Sequence, residues 1–221
     1  MSANARSVRS GVPAVIVALT ALMVAAYIGF LLVPETTKDF LYFHFALIPA
    51  RFDVMSQWRF SAWYEALGPL FGHVFLHGGW LHLGMNALVL LQGGPLVAHR
   101  MGALRFLGLF FLSALGGALL FLLVNAGSES PAIGASGAIC GVFAGYFLAV
   151  RPTISLALRD RRVQSGIFWF LAINVALAAA ARASGFLPIA WEAHLGGFLG
   201  GALAFVLLAP RLKPGPWDQA A

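Results

Sequence analysis

At 221 residues, 60% hydrophobic and only 10% charged, with a mean hydropathy of +0.85, the chain is too apolar for an ordinary soluble domain and has the make-up of a multi-pass membrane protein. Its formal net charge of +6 does not mark a nucleic-acid binder, because the basic residues flank apolar runs instead of forming a stripe. A single cysteine, Cys140, excludes an intrachain disulfide and a cysteine-based metal site.

In chain order, residues 1–11 are a polar tail with Arg6 and Arg9. Val12 to Val33 is apolar and long enough to span. It exceeds the h-region of a signal peptide and no clear cleavage site follows, so an uncleaved first span is expected. Residues 34–72 interleave Phe40, Tyr42, Phe43, Trp58 and Trp63 with Lys38, Arg51, Asp53 and Glu65. Aromatics mixed with charges suit the headgroup region, and the expectation is a first loop of short interfacial helices, the alternative being a folded extramembrane loop packed on itself.

Further spans are predicted at Gly79–Ala98, Ala103–Val124, Ser136–Val150, Gly166–Ala181 and Trp191–Ala209. Gly93-Gly94-Pro95 loosens the end of the second, Arg182–Ile189 is a turn, and Pro210 stops the sixth. The result is an all-α membrane protein: one six-span domain over residues 12–209, with a short fourth helix, between tails 1–11 and 210–221. No internal repeat is evident, which gives no support to an inverted-repeat transporter.

Alternating the sides gathers Arg6, Arg9, Arg100, Arg105, Arg151, Arg159, Arg161, Arg162, Arg211 and Lys213 on one face, against Lys38, Arg51, Arg59 and Arg182 on the other. The positive-inside rule makes the first face cytoplasmic, with both termini inside. The entrance to the fourth span and the 34–72 loop then face outward. Short tails and compact spans lead to the expectation of a bacterial inner membrane.

Polar residues inside these spans need a chemical reason. Ser136 lies about 15 residues before Arg151, roughly 22 Å of helix, and His194 about 17 before Arg211, roughly 25 Å. The two side chains are therefore expected at similar depths. Gly137, Gly141 and Gly145 share one helix face, and His194, Gly197 and Gly201 share another. Such small-residue faces let two helices approach nearly backbone to backbone and bring the Ser136 hydroxyl to a His194 nitrogen, as a general base requires. The bland reading is that the glycines only pack and Ser136 only caps its helix. His82 and Asn86, four apart, share a face of the second span, and either side chain suits donation to a developing oxyanion. The Ser136 N–H, at a helix N-terminus, is a third donor.

His82-x-x-x-Asn86, Gly134-x-Ser136-Gly137 and Ala193-His194-x-x-Gly197-x-x-x-Gly201 occur in this order on the second, fourth and sixth spans. In this the chain resembles the rhomboid intramembrane serine proteases, over about residues 12 to 209. The resemblance implies a six-helix rhomboid bundle in which Ser136 is the nucleophile and His194 the base, a dyad without an acid. It implies an oxyanion hole from His82, Asn86 and the Ser136 N–H, with His77, Gly134, Gly137, Gly197 and Gly201 in support. The implied partners are the lipid bilayer and a transmembrane protein substrate cut in or near its membrane segment, and no cofactor is expected. The sequence agrees with a dyad: Glu192, the acid nearest His194, sits at i−2 on another face. His194 is then expected to be oriented by packing, with water entering through a polar cavity under the 34–72 loop and the fifth-span side. Three positions depart from the family pattern. Trp58-Arg59 lies about ten residues farther upstream than the family's Trp-Arg, Cys140 replaces the aromatic one turn after the serine, and Ala98 replaces an acid at the end of the second span.

Rival readings are weaker. Gly134-x-Ser136-x-Ala138 breaks the nucleophile-elbow pattern. His73, His77 and His82 lack a His-Glu-x-x-His frame, so no metal is expected. A transporter would carry intramembrane carboxylates or a repeat. The alternative from another class is an inactive rhomboid-like protein that binds transmembrane segments, but such relatives typically lose the serine or the histidine that this chain has.

Overall fold

A computed structural model of the chain describes residues 11–184 and 190–210. Nine α-helices fall among them: α1 Ala14–Leu32, α2 Glu35–Phe45, α3 Leu67–Gly72, α4 Trp80–Met101, α5 Ala103–Val124, α6 Ser136–Ala149, α7 Ile154–Arg159, α8 Arg161–Ser184 and α9 Trp191–Leu208. The only β pairing among the described residues is an isolated antiparallel bridge between Leu47 and Ala132. Five helices (α1, α4, α5, α8 and α9) are long and apolar enough to cross a membrane, and α6 is a shorter apolar helix of 14 residues. Their outer faces carry exposed Leu, Val, Ile and Phe side chains such as Leu22, Leu88, Leu119, Phe168 and Leu203. Aqueous solvent penalises such a surface and hydrocarbon tolerates it.

The short helix α6 is the centre of the bundle. It packs on α4, α5, α8 and α9, and ten of its residues are buried, from Gly137 to Ala149. The close approach of α6 and α9 follows from glycine. A Cβ at Gly197 would strike the carbonyl oxygen of Gly137, and one at Gly201 the backbone of Gly141. On the other side of α9, a Cβ at Gly116 of α5 would lie 2.7 Å from the Gly196 carbonyl oxygen. Around this contact, Phe106, Leu109, Phe110, Val142 and Phe205 close the core. The far end of α6 is held by Arg100 at the end of α4, which donates to the carbonyls of Ala149 (2.9 Å), Arg151 and Pro152 (2.8 Å). The Ala149 carbonyl is one that a helix C-terminus leaves unpaired, the other two follow the helix, and a cation there also complements the helix dipole.

Three boundaries differ from expectation. α4 continues through Pro95 to Met101, because tight packing around Gly94 and Val97 holds the helix across the missing N–H. α8 begins at Arg161, its first turn led by Asp160, whose carboxylate accepts from the Arg162 N–H at 2.8 Å. α8 also continues to Ser184, so the start of the predicted Arg182–Ile189 turn is helical, and 185–189 lie outside the described residues. Arg6, Arg9, Arg211 and Lys213 of the two tails are likewise outside them.

The 34–72 connection is a folded layer of α2, α3 and short 3-10 turns. Arg51, only 4% exposed, organises it. Its guanidinium lies over Phe43 at 4.0 Å and Phe60 at 4.2 Å and donates to the Phe43 carbonyl. Leu47 and Ala132 exchange backbone hydrogen bonds of 3.0 and 2.9 Å, which pin this layer to the strand-like segment entering α6.

Candidate active site

Ser136 is the first residue of α6. Gly134, at φ +106°, turns the chain into the helix, a conformation open to glycine and strained for other residues. The Gly134 N–H donates to the His73 carbonyl at 2.8 Å. The His73 Nδ1–H donates in turn to the Pro69 carbonyl at 2.7 Å. Burial pushes the His73 pKa down to about 4, so this histidine is a neutral structural group. The turn leading to the serine is thereby fixed from behind.

The Ser136 hydroxyl does not cap its helix. Its Oγ–H donates to His194 Nε2 at 2.9 Å, and both residues are half-buried. The expected match in depth between the two helices is met, and Gly137, Gly197 and Gly201 are the residues whose missing side chains permit it.

His82 and Asn86 lie on the other side of Gly134. A Cβ at Gly134 would come within 2.5 Å of His82 Nε2 and 3.6 Å of Asn86 Nδ2, so both side chains crowd the backbone two residues before the serine. The Gly78 N–H donates to His82 Nδ1 at 3.4 Å, which leaves the His82 proton on Nε2, the nitrogen on the Gly134 side. Asn86 is buried, and its Nδ2 has no hydrogen-bond partner among the described residues. His77 is buried too, edge-on to His82 at 5.1 Å and to Tyr27 at 6.5 Å. It supports the His82 ring through packing. Among the described residues no cluster of His, Cys, Asp or Glu has the geometry of a metal site.

A cavity of about 20 Å³ opens at Ser136, lined by Leu47, His73, Ala132, Gly134 and Ala193 among others. That volume suits one water molecule. It lies under the first loop, as expected, but its other walls come from α5, α6 and α9 rather than from α8.

One polar residue went unrecognised in the sequence. His194 Nδ1–H donates to Asn174 Oδ1 of α8 at 2.8 Å. The expectation that packing alone orients His194 is therefore corrected: a side-chain amide holds the ring. Asn174 is a lone amide within an apolar span, and such a group needs a buried partner. That cost is the signal that would have singled it out. Cys140, by contrast, packs with Ala144 and Phe198 in an apolar cluster.

A serine hydroxyl bonded to a histidine, with a buried amide and a half-buried imidazole beside it, can perform acyl transfer. The family model described as "Rhomboid domain" matches residues 53–211. Rhomboid protein 1, mitochondrial, of Saccharomyces cerevisiae is 34% identical over 66% of this chain and 45% of its own length. RHOMBOID-like protein 5 of Arabidopsis thaliana is 31% identical over 61% of this chain and 42% of its own. Rhomboid protease GluP of Bacillus subtilis is 28% identical over 66% and 26%. The chain thus spans less than half the length of these curated relatives. The matched region holds α4 to α9 and every polar group around Ser136, and the chain belongs to the rhomboid family of multi-pass membrane proteins.

Proposed function

We propose that the chain is an intramembrane serine endopeptidase that cuts transmembrane-protein substrates in or near their membrane segment. The observation that carries this reading is the 2.9 Å hydrogen bond from Ser136 Oγ to His194 Nε2, made between two apolar helices where an idle polar pair would be costly. The protease names borne by relatives such as GluP support it. All six apolar helices, α6 included, form the membrane bundle, with the loop of α2 and α3 at the interface.

Ser136 Oγ attacks the scissile carbonyl while its proton passes to His194 Nε2. The oxyanion receives hydrogen bonds from the Asn86 amide, His82 Nε2–H and the Ser136 N–H, donors preorganised where charge develops. His194 then gives the proton to the leaving amine, and the acyl-enzyme forms. Water attacks the ester, His194 takes its proton, and the new carboxylic acid leaves as Ser136 recovers its hydrogen. The cavity beside Ser136 is where that water would wait.

Labelling of the purified protein with a fluorophosphonate tests the reading. Wild type should label, and Ser136→Ala and His194→Ala should not. A folded wild-type protein that fails to label would overturn it in favour of a binder of transmembrane segments.

A further inference from the structure

Asn174 occupies the inward stripe of α8. It follows Ile167 and Phe170 at i, i+3 and i+7, and those two pack on Cys140, Ala144 and Phe198 of the core. The neighbours Ile173, Val175 and Leu177 face outward. Both ends of the amide are engaged. Nδ2–H donates to the Phe170 carbonyl at 2.8 Å, which settles which way the amide points. Oδ1 consequently faces His194 and accepts from Nδ1–H at 2.8 Å. A carbonyl oxygen can only accept, so the ring proton sits on Nδ1 and Nε2 is left bare toward Ser136 Oγ. Among the described residues the aromatic contacts to histidine rings involve His44, His77 and His82, not His194. Among the described residues no aromatic ring stacks on His194, and its ring hydrogen bonds there go to Asn174 and Ser136 rather than to Glu192.

We infer that Asn174 is a positioning residue that fixes His194 in the one neutral tautomer able to accept the Ser136 proton. The inference rests on the protease reading above and adds a third, uncharged member to the pair. An amide oxygen does the orienting work of a carboxylate without bringing a charge into the bilayer. Its bond to Nδ1–H also strengthens when the ring becomes cationic, because charge-assisted hydrogen bonds are the stronger ones. The contribution therefore falls on the transition state rather than on substrate binding.

Two readouts test this. The first is independent of turnover: ¹⁵N NMR of histidine-labelled protein in the Ser136→Ala background, with His194→Ala to assign the signal. The proton should reside on Nδ1, and adding Asn174→Leu, which keeps the volume, should shift it toward Nε2. A tautomer unchanged by Asn174→Leu overturns the inference. The second is kinetic. Asn174→Leu should lower kcat about 10- to 100-fold with KM within about two-fold, and Asn174→Asp, which restores an oxygen at Oδ1, should recover most of the loss. Equal failure of Asn174→Asp and Asn174→Leu in folded protein would reduce Asn174 to helix packing and overturn the role. Should Asn174→Leu not fold, Asn174→Ala takes its place in both measurements. Failure of wild type to label with fluorophosphonate would sink the protease reading, while the NMR result would still judge Asn174.

Discussion

The Asn86 amide illustrates how one side chain separates stability from function. Its Nδ2 is buried and lacks a partner among the described residues, a condition that costs about 1–3 kcal/mol. In the proposed mechanism that donor is held ready for an oxyanion. Replacing it with Leu removes the unpaired donor, so Asn86→Leu should unfold at the same or a higher temperature than wild type. Hydrolysis should nevertheless fall about 10²-fold or more, the usual loss for one oxyanion-hole donor. Thermal unfolding and kcat measured on the same sample decide the matter. A variant that loses stability, and activity only in proportion to its folded fraction, would make Asn86 a packing residue. His82 and Asn86 were legible in the sequence because two polar residues four apart in an apolar helix share a face. Asn174 was legible only as a lone amide in an apolar span that calls for a partner; which partner it takes was not, because His194 lies on another helix.

At the level of elements, the proposed catalytic geometry depends on how near α6 and α9 can come. Their glycines replace side-chain volume with backbone contact, and the Ser136–His194 bond lies at the outer end of that seam. Gly201→Val, about two turns along α9 from the histidine, should force the helices apart where a Cβ already meets the Gly141 backbone. Overpacking of this kind costs about 1–3 kcal/mol. Fluorophosphonate labelling of Ser136 should drop more steeply than the folded fraction, because a small separation breaks a hydrogen bond before it unfolds a bundle. Labelling that tracks the folded fraction would show the seam to be structural only. This partnership was readable from the four-residue spacing of the glycines and from the distance of Ser136 and His194 to their basic boundaries. The last turn of α4, from Ala98 to Met101, was not: the loosening expected of Gly93-Gly94-Pro95 is overridden by the surrounding core, with Val97 and Met101 buried. The same applies to Arg100, which as a sequence feature is a boundary charge and in the fold binds the end of α6.

For the whole molecule, the first loop and the membrane orientation belong together. Aromatics mixed with charges marked the 34–72 segment as interfacial, yet its internal order rests on contacts invisible in sequence: Arg51 between two rings and the Leu47–Ala132 bridge to the segment before α6. That bridge ties the loop to the side where Ser136 opens, while α7 lies at the opposite end of α6 with the Arg151–Asp160 ion pair. From the excess of arginine at that second end we propose that it faces the cytoplasm, by the positive-inside rule, with the Ser136 mouth facing outward. Cysteine accessibility tests the assignment. The single native Cys140 is buried, so an added cysteine reports alone, and Ser61 and Ser155 are both exposed, one in the first loop and one in α7. In intact bacterial cells a membrane-impermeant maleimide should label Ser61→Cys and spare Ser155→Cys, which should react only after permeabilisation. The reverse pattern would invert the bundle and turn the serine toward the cytoplasm. Water and substrate would then have to reach Ser136 from that side, and the charge asymmetry would need a different cause from membrane insertion.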